Sequence, residues 1–175
     1  MQIKAREAAQ KLEGFFLLPV LIVLTLDQIT KQIFWNAGAN YPVIGDWFRI
    51  TLVKNSGAAF GIFQGGRVFL VAMSIVATLF VILVAQRVAS KDRWRSVLLG
   101  VILGGALGNL VDRLYPGQVI DFIDMGIGAH RWPVYNIADS AVTVGGILLI
   151  LSLSRSRETE PEPEESVPEA AGEPD

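Results

Sequence analysis

Two aspartates carry the chemistry this sequence offers: Asp121 in Val119-Ile120-Asp121-Phe122 and Asp139 in Asn136-Ile137-Ala138-Asp139-Ser140. Both stand beside long apolar stretches, where an ionised carboxylate costs roughly 3 kcal/mol or more, so an acid kept there marks a functional site. Two carboxylates that meet share one proton, because like charges in contact cannot both ionise. Such a pair holds a base and an acid together and hydrolyses an amide without a metal. Other site chemistries find little support. The chain has no cysteine, and its one histidine, His130, is read as a loop residue and leaves no zinc motif or Ser-His-Asp triad. No glycine loop of the phosphate-cradling kind is present. Asp121 and Asp124 form a lone Asp-x-x-Asp, a weak signal for a divalent ion, and no metal or cofactor is expected.

The elements that must position these acids are membrane spans. Apolar residues make up 51% of the chain and charged ones only 18%, too few charges for a typical soluble domain. Four stretches, at about 14–35, 68–85, 97–115 and 134–153, are long enough to cross roughly 30 Å of hydrocarbon. Lys4, Arg6 and Lys11 precede the first; Arg87, Lys91, Arg93 and Arg95 join the second to the third; Arg155 and Arg157 follow the fourth. Arg49, Lys54, Arg67 and Arg131 are spread over two longer loops. The positive-inside bias therefore places both termini in the cytoplasm. The basic residues track topology and form no patch for nucleic acid.

That orientation gathers the polar residues at one depth. Asp27 and Lys31 fall late in an outward span, as do Asn109, Asp112 and Arg113. Asn136 and Asp139 fall early in an inward span, and Asp121 lies in the outer loop between spans three and four. All meet the outer membrane boundary. Asp27 and Lys31 are four apart, acid first, the favourable order for an ion pair on one helix face. Asn109 shares a face with Asp112 and Arg113, and Asn136 with Asp139.

The remaining sequence is organised around these spans. Gly100, Gly104 and Gly108 form a small-xxx-small stripe, explained by helix packing alone. Asp46 to Lys54 is rich in strand formers and is followed by Asn55-Ser56-Gly57, which predicts a short strand or hairpin outside the membrane. Residues 1–157 form the membrane domain. From Glu158 the chain is rich in Pro and Glu and is expected to be a disordered cytoplasmic tail, which accounts for the net charge of −2. The N-terminus imitates a cleavable signal peptide up to Ala37-Gly38-Ala39. Removing it would discard Asp27 and Lys31, so cleavage is not expected.

These residues together resemble the bacterial lipoprotein signal peptidases (signal peptidase II) up to about Arg157. The matching phrases, in order, are Asp27-Gln28-Ile29-Thr30-Lys31, Asn55-Ser56-Gly57-Ala58-Ala59-Phe60, Gly108-Asn109-Leu110-Val111-Asp112-Arg113, and the two phrases around Asp121 and Asp139. The resemblance implies an all-α membrane protein of four helices with a small extracytoplasmic β-sheet. It implies a catalytic pair at Asp121 and Asp139, supported by Asp27, Lys31, Asn55, Asn109, Asp112, Arg113 and Asn136. The implied substrate is a prolipoprotein cut just before its diacylglyceryl-cysteine. One aspartate would activate water and the other, protonated, would polarise the carbonyl; which is which stays open at the level of sequence. Membrane lipids are the expected surroundings, in the inner membrane, for a chain expected to be monomeric. The alternatives are a small proton-coupled carrier using the same acids, or a non-catalytic adaptor. A carrier usually places its site near the midplane between internal repeats, and neither feature is visible here.

Overall fold

The computed structural model describes residues 2–38, 40–57, 66–88 and 92–157; the acidic tail and Ala58-Ala59-Phe60 lie outside the described residues. Four long helices account for most of it: α1 (Gln2–Ala37), α2 (Arg67–Val88), α3 (Arg93–Leu114) and α4 (Ile137–Arg157). Each contains a segment long and apolar enough to cross a membrane: Gly14–Ala37, Arg67–Arg87, Arg93–Leu114 and Ile137–Arg155. Their outward faces carry exposed Leu, Ile, Val and Phe side chains, among them Leu18, Leu21, Val76, Phe80, Ile147 and Ile150. Such a surface suits contact with lipid. In α2 the hydroxyls of Ser74 and Thr78 bond back to Leu70 O and Ser74 O, both at 2.8 Å, so neither is left bare in hydrocarbon.

Helix α3 is the centre of the bundle and packs against the other three. Its glycines permit the close approach. A Cβ at Gly104 would stand 2.8 Å from Val20 O and 2.9 Å from Val23 Cβ, and one at Gly100 would strike Phe16 O. Gly108 does more than pack. A Cβ there would strike Asp27 Oδ2, so this glycine leaves the space that a buried carboxylate fills. The helix begins at Arg93, earlier than its apolar run, because the Asp92 side chain accepts from Trp94 N and Arg95 N. It ends where Pro116 stops it, with Arg67 donating to Leu114 O at 2.9 Å and Arg113 O at 3.3 Å.

Four antiparallel strands sit at one end of the bundle: β1 (Asn40–Ile44), β2 (Phe48–Asn55), β3 (Val119–Ile127) and β4 (His130–Arg131), in that order across the sheet. The predicted strand around Asp46–Lys54 is the second arm of a hairpin turning at Gly45, whose φ of 50° suits glycine. The segment holding Asp121, in the connection between spans three and four, forms strand β3, paired with β2 through Val53↔Asp121 and Asn55↔Val119. Tyr135 extends the ladder by bridging to Ile123. Helix α4 consequently starts only at Ile137, later than its apolar run. Ile50 and Phe122 form a small core under the sheet with Phe34, Phe48, Ile123 and Ile137. The Phe34 and Phe122 rings, 4.5 Å apart, join the sheet to the end of α1.

The two kinds of glycine give a direct test. Gly104→Val should separate α1 from α3 and lower the melting temperature in detergent, at about 1–3 kcal/mol for overpacking. Gly146 has nothing within 4 Å of a built Cβ. Gly146→Ala should leave the melting temperature unchanged or slightly raised.

Candidate active site

A buried ion cluster anchors the site. Lys31, on the last turns of α1, donates to three acceptors: Asp27 Oδ2 at 2.7 Å, Asp112 Oδ2 at 2.8 Å and Asn109 Oδ1 at 3.1 Å. Its ammonium has three donors, so it is saturated. Asp27 is fully buried, and its second oxygen accepts the backbone N–H of Ala138 at 2.9 Å, in the first turn of α4. Asp112 accepts from Gln28 at 3.0 Å and from Ile120 N at 3.3 Å. One cluster thus joins α1, α3, α4 and β3. Removing one member would leave an uncompensated buried charge, which costs about 3–5 kcal/mol.

Above the cluster, the start of α4 forms a capping box. Asn136 Oδ1 accepts Asp139 N–H at 2.9 Å, and an Asp139 oxygen accepts Asn136 N–H at 3.2 Å. The Asn136 amide nitrogen is then left to donate, which it does to Asp121 Oδ1 at 2.7 Å and Asn109 Oδ1 at 3.2 Å. The other asparagines are polarised in the same way. Asn109 Oδ1 is occupied by Lys31, so its nitrogen donates to Asp139 Oδ1 at 2.7 Å. Asn55 Oδ1 is occupied by Gly57 N–H at 2.9 Å, so its nitrogen donates to Asp121 Oδ2 at 3.0 Å. Each carboxylate is therefore held by an amide whose orientation another bond has already set.

Asp121 and Asp139 line one cleft of about 730 Å³ with Asn55, Asn109 and Arg113; Val53–Ser56 and Trp132–Tyr135 line it from the sheet. Burial pushes the Asp121 carboxyl up to about 7, reinforced by the Asp139 charge and opposed by the hydrogen bonds from Asn55 and Asn136. Arg113 donates to Asn109 O at 3.3 Å, while its buried Nε has no hydrogen-bond partner.

Asp27, Lys31 and Asp112 sit together in the ion cluster; Asn55, Asn109, Arg113, Asp121 and Asp139 line the cleft, and Asn136 is buried behind it, bonded to Asp121 and to Asp139 N–H. The Asp-x-x-Asp pair does not act together: Asp124 turns to Arg131 at 2.6 Å and Thr51 at 2.8 Å. Burial raises the Asp124 pKa, but those bonds outweigh it and hold the carboxyl below its ordinary value. Among the described residues, no group of three His, Cys, Asp or Glu side chains could hold a metal ion. Sequence reasoning passed over Gln28, which bridges Asp27, Gly108 O and Asp112, and the Trp132–Tyr135 wall. Neither carries a charge, and no spacing rule points to them.

Four apolar helices around a cleft with two carboxylates define a multi-pass membrane protein of enzymatic design. The family model described as Signal peptidase (SPase) II matches residues 19–155, and the chain belongs to that family. It is 38% identical over 140 residues to a lipoprotein signal peptidase of Bacillus pumilus (strain SAFR-032), covering 78% of this chain and 90% of the relative. It is 38% identical over 140 residues to the enzyme of that name from Brevibacillus brevis (strain 47 / JCM 6285 / NBRC 100599), covering 78% of this chain and 93% of the relative. A bacterial membrane enzyme solved by the in meso method superposes with a TM-score of 0.74 at 34% identity, over 86% of this chain and 94% of that one.

The raised Asp121 pKa has a consequence for stability. Between the ordinary carboxylate value of 3.8 and about 7, the folded state holds a proton that the unfolded state has lost. Stability from this group is full below 3.8, falls as pH rises through that window, and levels off above about 7. Asp121→Asn should therefore raise the melting temperature more at pH 8 than at pH 4, measured by thermal unfolding in detergent.

Proposed function

We propose that the protein is the aspartyl endopeptidase that removes signal peptides from lipid-modified prolipoproteins, cutting just before the diacylglyceryl-cysteine. Family membership supports the peptidase activity. The observation that carries the site assignment is the placement of Asp121 and Asp139 in one cleft, tied through the single amide of Asn136. Asp121, whose pKa of about 7 lets it keep a proton near neutrality, is the acid. Asp139 accepts a proton from water as the water oxygen bonds to the scissile carbonyl carbon, and Asp121 donates to the carbonyl oxygen. On collapse the C–N bond breaks, one proton passes from the pair to the leaving amine, and one returns from the diol. The pair ends with the single proton it began with. Asn55, Asn109 and Arg113 hold the substrate backbone along the cleft.

The exposed apolar helix faces around the bundle suit this substrate, because acyl chains remain in lipid while the peptide bond reaches the cleft. The enzyme works as a monomer in the inner membrane, with both termini cytoplasmic and the cleft at the outer face. Residues 1–157 are the membrane peptidase domain, and residues 158–175 are an acidic cytoplasmic tail. A carrier has no observation in its favour, since the acids gather at one end of the bundle rather than at its middle.

Purified protein incubated with a lipidated precursor peptide should release the signal segment, and should still do so in excess chelator. An intact precursor would refute the reading; loss of activity on chelation, restored by a divalent ion, would refute the metal-free chemistry. The acid role of Asp121 predicts that kcat declines as pH rises through about 7, because the required proton is lost. A pH–rate series checks this, and a rate still climbing at pH 9 would exclude the role. In intact cells, a cysteine at Gly128 should react with an impermeant maleimide added outside, and one at Ser90 should not. The native chain has no competing thiol.

A further inference from the structure

The cleft wall at Trp132–Tyr135 follows a strand too short to hold itself. Strand β4 is two residues long and pairs with β3 only through Gly126↔Arg131 and Ile127↔His130, whereas strands usually run to about five residues. What fixes it is the Arg131 side chain. Arg131 Nε meets Asp124 Oδ1 at 2.6 Å, and its other nitrogens donate to Asp124 O at 3.3 Å and Asp46 O at 3.0 Å. Asp124 is itself buried, with Thr51 on its second oxygen. Asp46 is held in turn, because its carboxylate accepts Gly128 N–H at 2.6 Å. One guanidinium therefore fastens β4 to β3 and to the turn between β1 and β2. The chain leaving it is then laid along β3 by Trp132 N→Met125 O at 2.8 Å and Tyr135 N→Ile123 O at 3.1 Å. Between those two bonds, Pro133 and Val134 form the part of the cleft wall that no ladder bond secures.

We propose that Asp124 and Arg131 are positioning residues for the substrate: their ion pair sets the Trp132–Tyr135 wall of the cleft and so governs substrate binding rather than the chemical step. The proposal rests on the peptidase reading. Neither residue lines the cleft or bonds to Asp121 or Asp139, so the proton-sharing pair is undisturbed when the ion pair is broken. The wall meanwhile loses the anchor immediately before it. A guanidinium fork is needed because, from β4, it reaches strand β3 and the β1–β2 turn at once, which a point-charged lysine does less well.

The test uses the full chain in detergent with a lipidated precursor peptide. Arg131→Gln should raise KM about tenfold, well within what misplacing a positioning group costs, with kcat and its pH dependence retained. Arg131→Lys should recover part of the loss. Because Arg131→Gln leaves Asp124 buried without its partner, the double variant Asp124→Asn/Arg131→Gln removes both charges; it should fold and show the same raised KM. A second readout does not depend on turnover: a Val134→Cys reporter should react faster with a soluble maleimide when Arg131→Gln is added. Unchanged KM and unchanged labelling in the folded double variant would overturn the proposal, as would a loss of kcat with KM intact. Should the wild type fail to cleave, the peptidase reading falls, while the labelling rates still decide whether the ion pair sets the wall.

Discussion

Asn136 uses its side-chain amide at both ends: the oxygen accepts the Asp139 N–H at 2.9 Å, and the nitrogen donates to Asp121 at 2.7 Å. The first bond is an ordinary helix cap, worth about 1 kcal/mol in most proteins. Here it also decides which way the amide faces, and therefore that a donor rather than an acceptor meets the strand-borne carboxylate. The residue is fully buried, so losing either bond would leave a polar group away from bulk solvent. The start of α4 and the position of Asp121 are consequently one structural decision. Sheet and bundle cannot shift relative to each other without breaking it.

The ion cluster beneath serves the same end. Burying Lys31 with two carboxylates is a poor way to gain stability, since apolar side chains of equal volume often do as well or better. What the cluster supplies is direction. Lys31 occupies Asn109 Oδ1 and so turns the Asn109 nitrogen to Asp139; Asp27 takes the Ala138 N–H and fixes where α4 begins. Gly108 is part of this arrangement, because any side chain there would displace the Asp27 carboxylate. A stripe read from sequence as packing alone thus ends in a residue that makes room for the site. The raised pKa of Asp121 adds a second cost to folding, in the same place and for the same purpose.

The membrane class and the four helices were legible because hydrocarbon imposes a length and an apolarity that a sequence cannot disguise. The Asp27–Lys31 pairing was legible from i, i+4 spacing, since both partners lie on one helix. Contacts between elements were not legible in that way. That Asp121 lies on a strand was not legible, because Val119-Ile120-Asp121-Phe122 is short and its strand forms only against its neighbours β2 and β4. The starts of α3 and α4 differed from their apolar runs because capping by Asp92 and Asn136, not hydropathy, ends the non-helical chain. The Asp-x-x-Asp signal dissolved for a related reason: on a strand paired with two neighbours, Asp121 and Asp124 find different partners. Gln28 and the Trp132–Tyr135 wall left no mark in composition or periodicity.

The central claim is that Asp121 and Asp139 act as a pair, one proton between them, on a peptide bond in the cleft. Its most direct test is cleavage of a lipidated precursor by purified, folded Asp139→Asn and Asp121→Asn proteins, each compared with the unaltered enzyme. Asn keeps the size of the side chain but cannot exchange the proton, so each substitution should reduce kcat by at least about a hundredfold, the lower end of what a positioned acid or base contributes. Substantial turnover by either folded variant would contradict the account.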